Sequence, residues 1–480
     1  MKRIAGGLAL AAGLLAFAPV ALAGEPGDAD GRTSTEKRLD EVLAELESQR
    51  TEIRSLQARI AAEDGSGGVG DSVKQYLESE EGKKSLGKGA TDFKVSWKEG
   101  LNFETADKQF SLKVQGRIMF DMVLPDADDD LEAAVGDFDP TVGFRRLRIE
   151  MGGTIFENVY YQNSIDFASL PTGTTAPTNN GVQLKDNFIG YKGLPGNTRF
   201  QVGYFKEPVG LEELTSSKYI TFMERSTVTN AFAPAHNMGF MVEGSAMEDR
   251  LNWAVGDFTD HPGSGVGPVQ FQHNFSARIC GAPILDKEKK MVLHLGLSLQ
   301  DRSPEAETDR FRARPEMPFV PRTVDTGNIS VDTEQIIGLE AAFVSGPFSV
   351  QGEYYMADVD DHPDAPGASP SFSGWYLFAS YWVTGESRPY KGGKFDRVTP
   401  KSTLTSKGGT GGLELKARIA SIDLEDDGVF GGEGEDITIG ANWHLNSNLR
   451  IMLEYVTHDV DDQALDASVS AIQMRFQIDF

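Results

Sequence analysis

In the last segment of the chain, Ile472, Met474, Phe476, Ile478 and Phe480 share one side, and Gln473, Arg475, Gln477 and Asp479 share the other. Strict alternation of this kind predicts a β-strand with one apolar and one polar face. An edge strand of a soluble sandwich alternates in the same way, so one segment does not separate a sandwich from a membrane barrel. The pattern recurs upstream. Leu293, Leu295, Leu297 and Leu299 oppose His294, Gly296, Ser298 and Gln300. Phe110, Leu112, Val114, Gly116, Ile118 and Phe120 oppose Ser111, Lys113, Gln115, Arg117 and Asp121. Ile337, Leu339, Ala341 and Phe343 oppose Glu340.

From about Lys108 onward the pattern predicts sixteen strands, near 108–122, 142–153, 155–167, 183–192, 197–205, 237–246, 250–258, 270–281, 290–300, 329–345, 347–358, 371–384, 412–423, 435–445, 448–459 and 467–480. Most have the roughly nine to eleven residues that cross an outer membrane, and the even count is what bacterial barrels require. Short connections (156–158, 194–196, 247–249, 345–347) alternate with long ones (123–141, 168–182, 206–236, 301–328, 359–370). Short periplasmic turns and long external loops are a barrel trait that a sandwich has no reason to follow. Residues 385–411 break the parity, being long on the periplasmic side, which predicts a segment folded into the lumen. The expected fold class is therefore all-β: a sixteen-stranded antiparallel transmembrane β-barrel at 108–480 with an N-terminal periplasmic coiled-coil helix.

The preceding residues divide further. Lys2-Arg3, the apolar run Leu8 to Val20 and Ala21-Leu22-Ala23 form a secretory signal peptide, residues 1–23. Within 24–64, Leu39, Leu46, Ile53 and Ile60 take heptad position a, and Val42, Gln49 and Leu56 take d. This predicts a coiled coil and hence an oligomer. Residues 65–107 read as a linker with a short helix and a pre-barrel hairpin; the glycines at 65–70 are a flexible spacer, with no strand before them and no Gly-Lys-Ser/Thr after.

The chain carries a net charge of −26 and a mean hydropathy of −0.32. That balance argues against nucleic acid as a partner. It is compatible with a barrel, whose lumen and loops are wet. Cys280 is the only cysteine, so no intramolecular disulfide forms. The charges are segregated. Asp126, Asp128, Asp129, Asp130, Glu132, Asp137 and Asp139 make one external loop acidic. Basic residues gather elsewhere: Lys206, Lys218 and Arg225; Arg302, Arg310, Arg312, Arg314 and Arg322; Arg388, Lys391, Lys394, Arg397, Lys401 and Lys407; and Arg145, Arg146 and Arg148. Arg and Lys inside a pore select anions by replacing lost hydration, and arginine fits phosphate with a bidentate fork. Alternation points Arg117 and Arg146 inward but puts Arg145 with the lipid-facing Leu147, Ile149 and Met151. Arg145 serves the pore only from the rim or from a β-bulge.

Gly203-Tyr204-Phe205-Lys206-Glu207-Pro208-Val209-Gly210-Leu211-Glu212, running into Leu214 to Arg225, resembles the third-loop signature of the phosphate-selective porin O and P family. Phe144-Arg145-Arg146 resembles its arginine pair, and Thr384-Gly385-Glu386 with Arg388 and Tyr390-Lys391 its inward periplasmic segment. Ala417-Arg418-Ile419, Ile422-Asp423-Leu424 and Gly440-Ala441-Asn442-Trp443 resemble its late strands. The resemblance spans roughly Phe93 to Phe480. It implies a trimeric outer-membrane barrel with three segments in the lumen, which passes phosphate or other small anions along an arginine ladder to a Lys/Arg constriction. Carried onto this chain, the contacts are Arg117, Arg145 and Arg146; Lys206, Lys218 and Arg225; Arg312, Arg314 and Arg322; and Lys391 and Lys394. Asp186 stands as an offsetting lumen carboxylate, and Arg148 departs from the pattern where an aromatic fits. The partners implied are phosphate or related anions, outer-membrane lipid and lipopolysaccharide, and a homotrimer.

Two other functions compete. A general or other-substrate porin of the same fold passes pyrophosphate, sulfate, carboxylates or cations. A barrel hydrolase needs a nucleophile, base and orienter. The seven histidines are scattered, and no Gly-x-Ser-x-Gly, His-Glu-x-x-His or paired-cysteine spacing occurs. No enzyme activity, cofactor or metal is expected.

Overall fold

Alternating faces alone leave every strand with unpaired backbone edges, and in lipid only a closed sheet satisfies them. The computed structural model shows that closure; it describes residues 93–168, 182–260, 267–304, 308–360, 369–405, 407–462 and 465–480. The predicted signal peptide, coiled coil and linker up to residue 92 lie outside the described residues. The first eight strands are β1 (Phe110–Ala127), β2 (Thr141–Ile155), β3 (Val159–Asp166), β4 (Asn187–Leu194), β5 (Thr198–Lys206), β6 (His236–Ala246), β7 (Leu251–Thr259) and β8 (Asn274–Asp286). The rest are β9 (Met291–Arg302), β10 (Thr333–Ser345), β11 (Phe348–Asp360), β12 (Ser371–Trp382), β13 (Gly412–Asp426), β14 (Val429–His444), β15 (Leu449–Asp462) and β16 (Leu465–Asp479). Each pairs antiparallel with its neighbours, and β16 returns to β1 with Asp479 opposite Arg117 and Val469 opposite Ala127. The two backbone bonds between Gly116 and Phe480, of 2.8 and 3.0 Å, fasten the end of the seam.

The faces follow the alternation. Ile472, Phe476 and Ile478 are exposed, while Gln473, Arg475, Gln477 and Asp479 are buried. Leu295, Leu297 and Leu299 are exposed opposite buried His294, Ser298 and Gln300. The outward leucines and isoleucines form the lipid-facing band.

Strand ends differ from the sequence expectation. β1 continues five residues past 122, and β14 begins at Val429 rather than 435. These extensions carry Asp126 and Glu433. Charge ends the apolar pattern, but it does not end a hydrogen-bonded ladder once the strand has risen clear of lipid. The loop parity also fades late in the chain, because β13 and β14 are joined by Asp427 and Gly428 alone.

A small hairpin, Phe93–Trp97 with Leu101–Thr105, extends the seam. Its second strand pairs with Ser111 to Val114 of β1, the stretch that β16 leaves uncovered below Phe480. The Trp97 ring stacks 6.2 Å from that of Phe480, and Glu99 lies 3.6 Å from Lys113 and 3.7 Å from Arg397. Trp97→Ala is expected to lower the temperature at which the folded band converts to the unfolded band in electrophoresis, since an aromatic pair contributes about 1 kcal/mol. Deleting 93–105 is expected to lower it further. An unchanged conversion temperature in both variants would show that the hairpin does not secure the seam.

The lumen is not uniformly wet. The third loop (207–235) and the fifth loop (308–332) fold in and pack an apolar cluster against the inner faces of β10 to β16. Phe222, Phe232, Phe311, Tyr355, Phe372 and Tyr376 form its centre. The face of β16 read as facing water is therefore covered. Arg475 is 0 % exposed, with Nε and Nη2 donating to Asp121 at 2.7 and 2.6 Å, and Gln477 donates to the Lys218 carbonyl at 3.0 Å. Alternation says which side chains point inward, not what fills the space they enter.

Candidate functional site

The third loop is built to stay in place. Glu353 of β11 accepts the backbone N–H groups of Leu211 and Glu212, which open the helical turn Leu211–Leu214. The turn is reached through Gly210 at φ 74°, where a Cβ would run into the Tyr355 hydroxyl, so glycine is the residue that fits. Ser226 caps the helix Thr227–Phe232 by accepting from Thr229 N at 3.0 Å. The back of the loop is bonded to the far wall. Arg418 reaches Glu212 at 2.9 Å, Glu316 of the fifth loop at 2.5 Å and the Glu224 carbonyl at 3.0 Å. Asn442 and Arg450 donate to the carbonyls of Thr221 and Ile220, and Glu454 accepts from Met223 N.

The loop's front face meets the cations of β1, β2 and β5. Arg117 pairs with Glu150 and donates to Ser217 at 2.6 Å, and Lys218 joins Glu150 at 2.9 Å. Lys206 and Arg225 share Glu213, at 2.6 and 2.9 Å. Arg145 occupies a β-bulge: Met119 pairs with Arg146 and Phe120 with Phe144, leaving Arg145 as the extra residue. From there it turns inward and grips Glu224 with Nε and Nη2 at 2.9 and 2.7 Å. Burial opposes the Glu224 carboxylate, but Arg145, Arg146 and Arg475 hold its pKa below the usual range. Burial pushes Lys218 below the ordinary lysine range and Arg117 adds to it, against the pull of Glu150.

Between loop and wall lies a cavity of about 880 Å³. Its lining comes from β1 to β8 with their connections, the third loop and residues 391–396; among the described residues none comes from β9 to β16. Eleven Lys and Arg face six Asp and Glu on this lining. In a chain of charge −26, the cavity is cationic.

Eight of the sequence-derived residues line this cavity: Arg117, Arg145, Arg146, Asp186, Lys206, Arg225, Lys391 and Lys394. Asp186 sits 3.5 Å from His236. Lys391 and Lys394 belong to a two-rung hairpin carried inward by residues 383–411. Arg278 donates to the Gly393 carbonyl at 3.0 Å, and Tyr390 meets His294 at 2.7 Å. Lys218 is turned away toward Glu150. Arg312, Arg314 and Arg322 are not on the cavity; they form a separate basic group in the fifth loop. Arg314 donates to the Val320 carbonyl at 2.7 Å and lies in the field of Arg145 and Glu224, which joins the group to the passage. Burial, then Arg314 and Arg312, push Arg322 down to about 10. Such crowded guanidinium groups are relieved by an anion.

The contacts carried over from the family did not include Arg148, Lys185, Arg199 and Arg278, which also line the cavity; in sequence Arg148 counts as one of the basic residues gathered on its strand. For Arg199 and Arg278 the signal was alternation: each shares its strand's inward face, with Gln201 and with Ser276.

One arrangement looks catalytic. Thr323 Oγ1 meets His458 Nε2 at 2.8 Å, and His458 Nδ1 meets Asp436 at 2.9 Å. His458 is wholly buried in the packed half of the lumen, and Asp436 also accepts from Thr227. The trio is not on the cavity lining, and it fixes the fifth loop to β14 and β15. Among the described residues no group of His, Cys, Asp or Glu has metal-holding geometry.

Comparison with known proteins adds the following. The family model described as phosphate-selective porin O and P matches residues 112–480. A protein of Caulobacter vibrioides named only as uncharacterized is 30 % identical over 407 residues, 80 % of this chain and 77 % of its own. Porin O of Pseudomonas aeruginosa is 28 % identical over 412 residues, 77 % of this chain and 88 % of its own. Among solved structures, the outer membrane channel DcaP of Acinetobacter baumannii superposes with a TM-score of 0.49 at 11 % identity, covering 79 % of this chain and 99 % of that one.

Proposed function

The chain belongs to the phosphate-selective porin O and P family, and on that premise we propose that it is an outer-membrane porin for phosphate and related small anions. It is a channel rather than an enzyme. The observation that carries the reading is the lining of the passage, with eleven basic against six acidic side chains. The excess sits where an anion must shed water, and guanidinium and ammonium donors replace that shell. Arginine adds a fork that matches two phosphate oxygens. The acids keep the site from becoming a trap. Glu224, Asp166 and Glu213 each hold one or more of the cations, and conduction needs binding weak enough to release.

The same reading gives a homotrimer bounded by outer-membrane lipid and lipopolysaccharide, with residues 24–64 as a periplasmic coiled coil. The heptad pattern and the family resemblance support it.

The test is a planar bilayer holding the purified protein across a potassium chloride gradient. The expected reversal potential has the sign of chloride preference, and added phosphate is expected to block the chloride current. Potassium preference would return the protein to the general-porin reading, which the acidic external loop at 126–139 would then explain.

A further inference from the structure

Seven of the eleven cations on the cavity lining have a protein carboxylate to themselves or share one closely. Among the described residues Arg146, Lys185, Lys391 and Lys394 do not, and the first two stand on one wall. Arg146 comes no nearer to Glu224 than 3.9 Å. Both Glu224 oxygens are already taken, by Arg145 at 2.7 and 2.9 Å and by Arg475 at 2.8 Å. Among the described residues its one side-chain hydrogen bond is to the Met119 sulfur, at 3.6 Å. Its side chain is nevertheless almost fully buried and faces the cavity. Lys185 is the second. Its backbone N–H donates to the Ser164 carbonyl at 2.9 Å, but its ammonium makes no hydrogen bond or ion pair among the described residues.

The register brings the two together on one wall. Arg148 of β2 pairs with Asp166 of β3, and Asp166 pairs with Gln183. Lys185 is the next inward position beyond Gln183, and it lies in the electrostatic field of Arg148, Asp166, Arg146 and Arg145. Asp166 does not neutralise it. One carboxylate oxygen accepts from Arg148 Nε and Nη2 at 3.1 and 2.8 Å, and the other accepts from the backbone of Leu147 and Ala168. The arginines on this wall other than Arg146 are thus matched by acids. On this wall two positive charges, Arg146 and Lys185, remain open to the cavity.

We infer that Lys185 is a further selectivity-determining residue, which with Arg146 forms a seat for a doubly charged oxyanion. The inference rests on the reading of the chain as an anion pore. A single negative charge satisfies one of the two cations. A dianion with oxygens on several sides satisfies both, with the guanidinium taking two oxygens and the ammonium a third. Lys185 therefore discriminates by ionic charge, beyond the general preference for anions that the whole lining supplies.

Sulfate is a suitable probe, because it differs from chloride in charge and in its array of oxygens. Full-length protein carrying Lys185→Gln is reconstituted in bilayers, and the sulfate concentration that halves the chloride current is measured. Loss of one charge-assisted contact is expected to raise that concentration about tenfold, with a smaller change in chloride conductance. Lys185→Arg, which keeps the charge and most of the reach, is expected to stay within about threefold of the parent. The heat-shift of the folded band confirms that both variants are assembled. Sulfate block unchanged in Lys185→Gln, while the parent protein prefers anions, would overturn the inference and leave the proposed function standing. A parent protein that prefers potassium overturns the proposed function itself.

Discussion

Arg146→Ala is expected to weaken phosphate block of the chloride current by roughly tenfold to hundredfold, because a hydrogen bond to a charged group contributes about 1.5–3 kcal/mol. The size of the effect follows from how little Arg146 does for the protein. It makes no close ion pair and touches Glu224 only at 3.9 Å, so the barrel loses little when it is removed. A bound anion loses a donor that no carboxylate closely holds. Arg312→Ala provides the contrast. Arg312 lies in the fifth loop, off the cavity lining, with Asp325 directly across its short ladder. Its field acts on an anion's approach, so its loss is expected to reduce phosphate block less than threefold, with an effect that fades as salt rises. Equal effects from the two variants would mean that phosphate is held at the mouth and not at the third loop. No effect from either would remove the arginines from the site altogether.

Arg418→Met is expected to leave a folded barrel with a wider and less selective channel. Arg418 is fully buried and touches no solute path. It holds Glu212 of the third loop and Glu316 of the fifth at 2.9 and 2.5 Å, and its guanidinium lies 4.2 Å from the centre of the Phe222 ring. Taking away one member of a buried pair leaves an uncompensated charge, at a cost of about 3–5 kcal/mol, and here two carboxylates are stranded. The strand ladder around the barrel does not depend on them, but the placement of both loops does. Single-channel conductance is expected to rise and the reversal potential to move toward zero, while the folded band persists in electrophoresis. Conductance equal to that of the parent would show that the remaining bonds to Glu353, Glu454 and Asn442 suffice to hold the loop. Arg146→Ala changes what the channel prefers, whereas Arg418→Met changes how wide it is, so the two variants separate binding from framing.

The sixteen strands were legible because lipid demands an apolar residue at every second position, and that demand is local. The inward fold of residues 383–411 was legible too, from its length on the wrong side of the barrel. Arg145 was readable as a problem: its place in the alternation conflicted with its charge, and the bulge at Met119 and Phe120 resolves the conflict. The filled half of the lumen was not legible. Arg475 and Arg146 look alike in sequence, both basic and both inward. One is locked between Asp121 and Glu224, and the other is left facing the passage. What separates them is the direction the third loop takes, and that is set by contacts such as Arg418 with Glu212, 206 residues apart. Periodicity carries no information about the angle around a barrel axis. For the same reason Lys185 was passed over in favour of its neighbour Asp186.

The cavity lies against β1 to β8, and among the described residues none of its lining comes from β9 to β16. An anion in it therefore travels with one flank against a wall a single strand thick, and beyond that wall lies hydrocarbon. Hydrocarbon polarises poorly, so field lines from the arginines are turned back into the narrow water column instead of spreading. In an axial channel of the same charge, water on all sides would dilute the field. The eccentric course thus gives a modest excess of basic groups a reach usually associated with many more, and it makes the membrane itself part of the selectivity filter.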